Sequence, residues 1–372
     1  MRIAIALLLL ISAHFAWAHK PSDSYLTLMS TDSAVDGRWD IALRDLDYAL
    51  GLDADQDGAI TWGELRARHD DIAAYALARL KLDADGTACA TRMIRHEIDD
   101  HSDGAYAVLR FRADCSHQPV ALNIDYRLFF DLDAQHKGLL GLTQGGATQS
   151  VIFAADAPRR HIAIGAPDHW REFGDYLRNG VWHIWIGFDH ILFLLSLLLP
   201  AVLLRRDRRW QAGESFAAAF REVAKVVTAF TVAHSITLSI AALGVVSPPS
   251  RWVESAIAAS VVLAALNNIR PVVTGRRWIM AFVFGLVHGF GFAAVLVDLG
   301  LPKANLLIAL VAFNGGVELG QLAIVTAFLP VAWWLRQGLF YRRVVFMAGS
   351  IAVAAIAAAW LIERAFDVRL VA

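Results

Sequence analysis

The residues of this chain best suited to chemistry are His183, Asp189 and His190, in the run Trp182-His-Ile-Trp-Ile-Gly-Phe-Asp-His190. They stand at the mouth of the apolar stretch Ile191 to Leu199. An ionisable group there is costly, and so marks function. In a regular helix residues seven apart share a face, but they are separated by about 10 Å of rise, too far for both imidazoles to grip one ion. Either the two histidines serve successive points on a path, or the helix loosens at Gly187 and brings them together. The bland alternative is a single interfacial histidine beside a capping aspartate, at odds with the cost of placing both groups there.

Further polar residues sit in later apolar runs. His234 lies in Phe230-Thr-Val-Ala-His-Ser-Ile-Thr237 and His288 in Phe284-Gly-Leu-Val-His-Gly-Phe-Gly-Phe292. Asn314, Glu318 and Gln321 form one helical stripe in Asn314-Gly-Gly-Val-Glu-Leu-Gly-Gln321. A lone buried histidine is usually a packing residue, but these groups recur in several runs, which favours a shared site. Gly285, Gly289, Gly291, Gly315, Gly316 and Gly320 let such helices approach closely. Imidazoles with a carboxylate or amide favour nickel, cobalt, copper or zinc over magnesium or calcium. Neutral imidazole is the binding form, so metal and proton compete. The chain contains neither a P-loop nor an H-E-x-x-H motif, so no ATPase or hydrolytic centre is recognisable.

The elements that must position these residues are membrane helices. The chain is 57% hydrophobic, and six spans are expected over 182–364, at about 182–203, 222–244, 252–269, 278–297, 304–334 and 344–362. The fifth is overlong, implying tilt, a break or extension past the membrane. Residues 166–181 read as an amphipathic approach segment with Trp170, Phe173, Tyr176 and Leu177 as interface anchors, and 365–372 as a tail. If the first span runs inward, the inner loops hold ten arginines (205, 206, 208, 209, 270, 276, 277, 336, 342 and 343). The outer side holds only Arg251, Lys303, Arg364 and Arg369, obeying the positive-inside rule with the N-terminal half outside.

That N-terminal half differs in character. Residues 19–175 carry 26 Asp/Glu against 16 Lys/Arg, while residues 176–372 carry 9 against 17, which marks two domains in different surroundings. Residues 1–18 read as a signal peptide ending Ala16-Trp17-Ala18, and cleavage would leave His19 as an N-terminal residue able to grip copper or nickel through its amine and imidazole. Residues 19–165 carry β-rich runs at 24–28, 39–43, 105–111, 120–128 and 151–154, suggesting a small antiparallel, sandwich-like domain with a helical insertion over 45–81. Export permits a disulfide between Cys89 and Cys115.

The insertion carries Asp53-Ala-Asp-Gln-Asp-Gly-Ala-Ile-Thr-Trp-Gly-Glu64. This fits a twelve-residue calcium loop: Asp53, Asp55 and Asp57 offer carboxylates, Gly58 allows the turn, Ala59 offers a carbonyl, Thr61 acts through water and Glu64 closes the shell. The stretch resembles the EF-hand family. Asp83-Ala-Asp-Gly86 echoes it but puts Arg92 where a glutamate is needed, so it reads as a turn. An unpaired loop implies a structural or low-affinity calcium site.

The pattern His183-x5-Asp189-His190, followed by Phe230-Thr-Val-Ala-His-Ser-Ile-Thr-Leu238, His288-Gly-Phe-Gly-Phe-Ala293 and Phe313-Asn-Gly-Gly-Val-Glu-Leu-Gly-Gln-Leu322, resembles the HupE/UreJ family, in a branch with a large exported extension. The resemblance implies a nickel or cobalt permease. The spacing of the first motif exceeds that of the wider nickel/cobalt permeases by one residue, which leaves the metal open. Two other readings compete: an enzyme or assembly factor holding a fixed metal, and an exported binding module on a membrane anchor. The expected partners are a divalent ion and the lipid bilayer, not nucleic acid, with oligomerisation left open.

Overall fold

The computed structural model describes residues 22–101, 104–144, 147–165, 169–206, 209–273, 275–292 and 303–366. The expected signal peptide, His19 and residues 367–372 lie outside them, as does the end of the expected span 278–297.

The N-terminal part begins with β1 (Asp23–Ser30) and β2 (Ala34–Ala42), followed by helices α1 (Leu43–Leu50), α2 (Trp62–Ala67) and α3 (His69–Leu77). Strands β3 (Leu80–Ala84), β4 (Thr87–Ala88), β5 (Ala90–His101), β6 (Gly104–Asp114), β7 (Ala121–Tyr126), β8 (Lys137–Gln144), β9 (Ala147–Phe153) and β10 (Arg159–Ala163) complete it. One sheet has the order β5-β6-β2-β1-β8-β9, the other β10-β7-β3-β4. Alternating residues turn apolar faces from both sheets into one core, with Trp39, Leu82, Phe111, Ile124 and Phe153 among its members. The α1–α3 segment closes it through Leu46, Leu65 and Ile72.

The domain is mixed rather than antiparallel, because β1 runs parallel to β8, with Ser24 opposite Gly138 and Leu28 opposite Leu142. Strand alternation shows which face of a strand is buried, but not the direction of its neighbour. Asp85 and Gly86 form a turn with positive φ between β3 and β4. Cys89 and Cys115 are disulfide-bonded across the start of β5 and the end of β6.

The C-terminal part is helical. After α4 (His169–Ile186) and α5 (Phe188–Leu198), a hairpin of β11 (Leu203–Arg206) and β12 (Arg209–Ala212) leads to α6 (Phe216–Ala242), α7 (Ser250–Ile269) and α8 (Arg277–His288). Helix α9 (Lys303–Leu335), a π-helical segment over Tyr341–Ala348 and α10 (Gly349–Phe366) follow. Among the described residues four helices are long and apolar enough to cross a membrane: α6, α7, the 305–335 part of α9, and the π segment with α10. The α4–α5 pair passes the same test only as a unit bent by 71°. Helix α8 has 12 described residues and falls short. Among the described residues the expected six spans are thus matched by four, or five with the bent pair, and the end of the expected span 278–297 lies outside them. The approach segment and the first span are also not separate elements, since α4 runs continuously from His169 through His183 before breaking at Gly187.

The N-terminal end of the long helix α9 packs against the N-terminal domain. Its 33 residues rise roughly 50 Å. At that end Asn305 Nδ2 donates to the Thr148 carbonyl of β9 at 2.9 Å and to the buried carboxylate of Glu172 on α4 at 3.3 Å. Ser150 Oγ donates to the same carboxylate at 2.6 Å. Tyr25, Tyr106, Leu139 and Ile152 of the larger sheet share one apolar cluster with Tyr176 of α4 and Leu306, Leu310 and Phe313 of α9.

Candidate metal centre

Gly187 builds the centre. As the N-cap of α5 it takes an extended conformation, and the chain turns there between α4 and α5. A Cβ at this position would stand 2.7 Å from the His183 carbonyl and 2.8 Å from His190 Nδ1. Glycine is therefore required by close approach, not only by the bend. The break brings the rings of His183 and His190 to 4.5 Å between centroids, where a straight helix would hold them about 10 Å apart.

Helices α6 and α8 bring the other two histidines. Gly289, which follows His288, leaves no room for a Cβ beside Thr237 and the His234 carbonyl, and a Cβ on Gly285 would lie 2.6 Å from the Phe230 carbonyl. Small residues thus let the two backbones touch. The His190 and His288 rings lie 5.1 Å apart, and those of His183 and His234 6.5 Å apart. Among the described residues His183, His190 and His234 form one group whose ligand atoms could share a metal ion, and Asp189, His190 and His288 form a second. His190 belongs to both. Phe193 and Phe230 stand 5.0 and 5.3 Å from His288, and Phe292 and Phe313 stand 5.1 and 5.3 Å from His183, enclosing the cluster in aromatic rings.

The partners of each ring define which nitrogen faces inward. Asp189 Oδ1 lies 3.0 Å from His190 Nδ1, so Nδ1 carries the proton and Nε2 keeps its lone pair. Asn314 Nδ2 donates to the Leu310 carbonyl at 2.8 Å, which turns Asn314 Oδ1 toward His234 Nδ1 at 3.1 Å. His234 therefore also presents a bare Nε2. Ser260 donates to the Ile257 carbonyl at 2.6 Å and accepts from His288 Nε2 at 2.9 Å, leaving Nδ1 of His288 bare. These three inward nitrogens, with His183 Nε2, are all buried without a hydrogen-bond partner. Buried polar atoms are almost always satisfied. Four unsatisfied imidazole nitrogens, shared between the two groups, are of a kind that could hold a metal ion.

The remaining expected residues are placed differently. Glu318 does not reach the imidazoles, and accepts from Thr228 Oγ1 at 3.0 Å. Gln321 Oε1 accepts from Thr231 Oγ1 at 3.2 Å. Sequence reasoning missed Ser260, Thr228 and Thr231; the signal available for each was a hydroxyl within an apolar helix.

In the N-terminal domain Asp53, Asp55 and Asp57 form a third group able to hold an ion. Positive φ at Gln56 and Gly58 curls the loop. Asp53 accepts from the Gly58 amide at 2.9 Å and Asp57 from that of Ala59 at 2.8 Å. Thr61 and Glu64 form a capping box that starts α2. Hydrogen bonds from the Thr61 amide and hydroxyl, and from Ala54, hold the Glu64 carboxyl below the usual carboxylate range.

Apolar helices enclosing a cluster of bare imidazole nitrogens define a helical membrane protein with a metal-type centre between its helices. The chain belongs to the HupE/UreJ family: the description HupE / UreJ protein matches residues 159–364, which contain the whole cluster but not the acidic loop. A search among curated proteins finds no match. At the level of the family these are nickel/cobalt transporter-like membrane proteins.

Proposed function

We propose that the chain is a divalent transition-metal permease of nickel or cobalt type. In this reading His183, His190, His234 and His288, with Asp189, receive the ion as two adjacent subsites sharing His190. The observation that carries it is the set of four buried, partnerless imidazole nitrogens, three of them held in the metal-binding tautomer by Asp189, Asn314 and Ser260. Two overlapping subsites suit a substrate that must leave again better than one closed tetrahedral site would.

Orientation follows from the arginines. Arg205 and Arg277 approach the Trp210 ring at 6.0 and 5.8 Å, and Arg336 donates to the Gly213 carbonyl, so basic groups converge at the hairpin end. That end is the cytoplasmic one by the positive-inside rule, which puts the N-terminal domain outside. The Thr231–Gln321 and Thr228–Glu318 contacts line the α6–α9 seam below His234 and Asn314, and supply oxygen ligands for inward release. The outer domain binds one calcium ion through Asp53, Asp55, Asp57, the Ala59 carbonyl, Thr61 and Glu64, as a structural tie between α1 and α2.

Uptake of radiolabelled nickel and cobalt into proteoliposomes tests the reading. His234→Ala and His288→Ala each reduce uptake to near background, and the double variant is little worse than either. Correctly inserted variants with wild-type uptake of every divalent metal tested would leave packing as the role of these histidines.

A further inference from the structure

Asp189 does more than orient His190. It also lines a cavity of about 30 Å³, together with Glu254, Ile257, Ala258, Trp360 and Arg364. That volume holds about one water. The cavity lies where the first turn of α5, the outer end of α7 and the last turn of α10 meet. It therefore adjoins the imidazole cluster on the side opposite the arginine-rich hairpin.

Its rim is an ion pair. Glu254 Oε1 accepts from Ser250 Oγ at 2.9 Å, and Glu254 Oε2 lies 3.2 Å from Arg364 Nε. The Glu254 side chain is 35% exposed and that of Arg364 20%, so the pair touches the surface, whereas His190 behind it is buried. The end of α10 is held in turn by Arg251, whose guanidinium donates to the Arg364 carbonyl at 3.2 Å and to that of Ala365. Two carboxylates thus stand on one water-sized cavity, both partly exposed, Asp189 at 30% beside a candidate ligand and Glu254 at 35% under a tethered cation.

We infer that this cavity is the outer port for the metal ion, that Glu254 is its capture group, and that Arg364 is a built-in competitor that the ion displaces. The inference rests on the permease reading. An arriving divalent ion exchanges part of its hydration shell for Glu254 and releases Arg364 to solvent. It then passes to Asp189, within reach of the bare nitrogens of His190 and His288. Charge decides the direction of the exchange. A guanidinium neutralises one carboxylate, whereas a divalent ion neutralises both Glu254 and Asp189. The port is closed by an ion pair while no metal is present, which keeps monovalent cations from the cluster.

Nickel uptake into proteoliposomes is measured for Glu254→Gln, Arg364→Gln, the double variant and His234→Ala. Glu254→Gln raises KM about tenfold with kcat little changed, as expected for a group that binds substrate without taking part in the later step. Arg364→Gln lowers KM several-fold, and this gain vanishes when Glu254 is also Gln. A second measurement is independent of turnover. Nickel affinity, followed by calorimetry on the purified protein, falls in Glu254→Gln and rises in Arg364→Gln, and equal affinity in both variants and the wild type overturns the port. Uptake lost in His234→Ala with wild-type KM in Glu254→Gln and Arg364→Gln overturns the port and leaves the permease reading standing. Uptake untouched in His234→Ala overturns both.

Discussion

Asn314 Oδ1 lies 3.1 Å from His234 Nδ1 across the α6–α9 seam, and that contact decides which nitrogen of His234 faces the other imidazoles. The amide is itself held by the Leu310 carbonyl, so the helix backbone sets the tautomer.

Asn314→Leu removes this hydrogen bond while keeping the volume. Uptake falls roughly tenfold to hundredfold, the range typical of losing a partner that orients a metal ligand. Asn314→Asp, which still accepts from Nδ1, retains most of it. Equal uptake in the leucine variant and the wild type would show that the contact is only packing.

Gly187→Ala is expected to be as damaging as loss of a ligand. The added methyl would stand 2.7 Å from the His183 carbonyl and 2.8 Å from His190 Nδ1, in the break that joins the two rings. Nickel affinity, followed by calorimetry on the purified protein, drops by about tenfold or more if His183 and His190 bind one ion. Unchanged affinity would mean that the two histidines act independently.

The acidic loop is expected to bind one calcium ion with a dissociation constant of roughly 0.1–1 mM, the range of extracellular modules. Glu64→Gln abolishes the binding, and calcium raises the melting temperature of the wild type but not of the variant. The nickel response survives in Glu64→Gln, because Glu64 belongs to the acidic loop and not to the imidazole cluster. A full-length protein whose melting temperature ignores millimolar calcium would refute the site.

The N-terminal domain is expected to lose stability in acid through His136. This residue is fully buried, with Nδ1 2.5 Å from Ser22 Oγ and Nε2 2.8 Å from Tyr126 OH. Burial, helped slightly by Lys137, pushes its pKa down to about 3. Between that value and the unfolded value near 6.5, only the unfolded chain binds the proton. The contribution is therefore complete above about pH 6.5 and is lost as pH falls toward 3, on the order of several kcal/mol in all. Hydrogen exchange in β7 and β8 of the full-length protein should accelerate across this window. A His136→Gln variant, which cannot charge, should show a flatter profile.

The chemistry of the cluster was legible in the sequence because it depends on residue type against background. Histidine within an apolar run is expensive whatever surrounds it, so His183, His190, His234 and His288 stood out without coordinates. The calcium-loop reading was equally local, since all the candidate ligands fall within twelve residues. Convergence was not legible. The seven-residue spacing of His183 and His190 allowed two outcomes, and the backbone break at Gly187 chose between them. Glu318 shares a helical stripe with Asn314, yet only Asn314 reaches an imidazole, because the stripe fixes a direction but not the residue opposite. The bounds of α9 were close to legible from hydropathy, but what holds its N-terminal end was not, since Thr148 and Glu172 are far away in the chain. Side-chain type and period are properties of a single segment. The bare nitrogens, the water-sized cavity at Asp189 and the parallel pairing of β1 with β8 each need two or more segments to meet, and only packing brings them together.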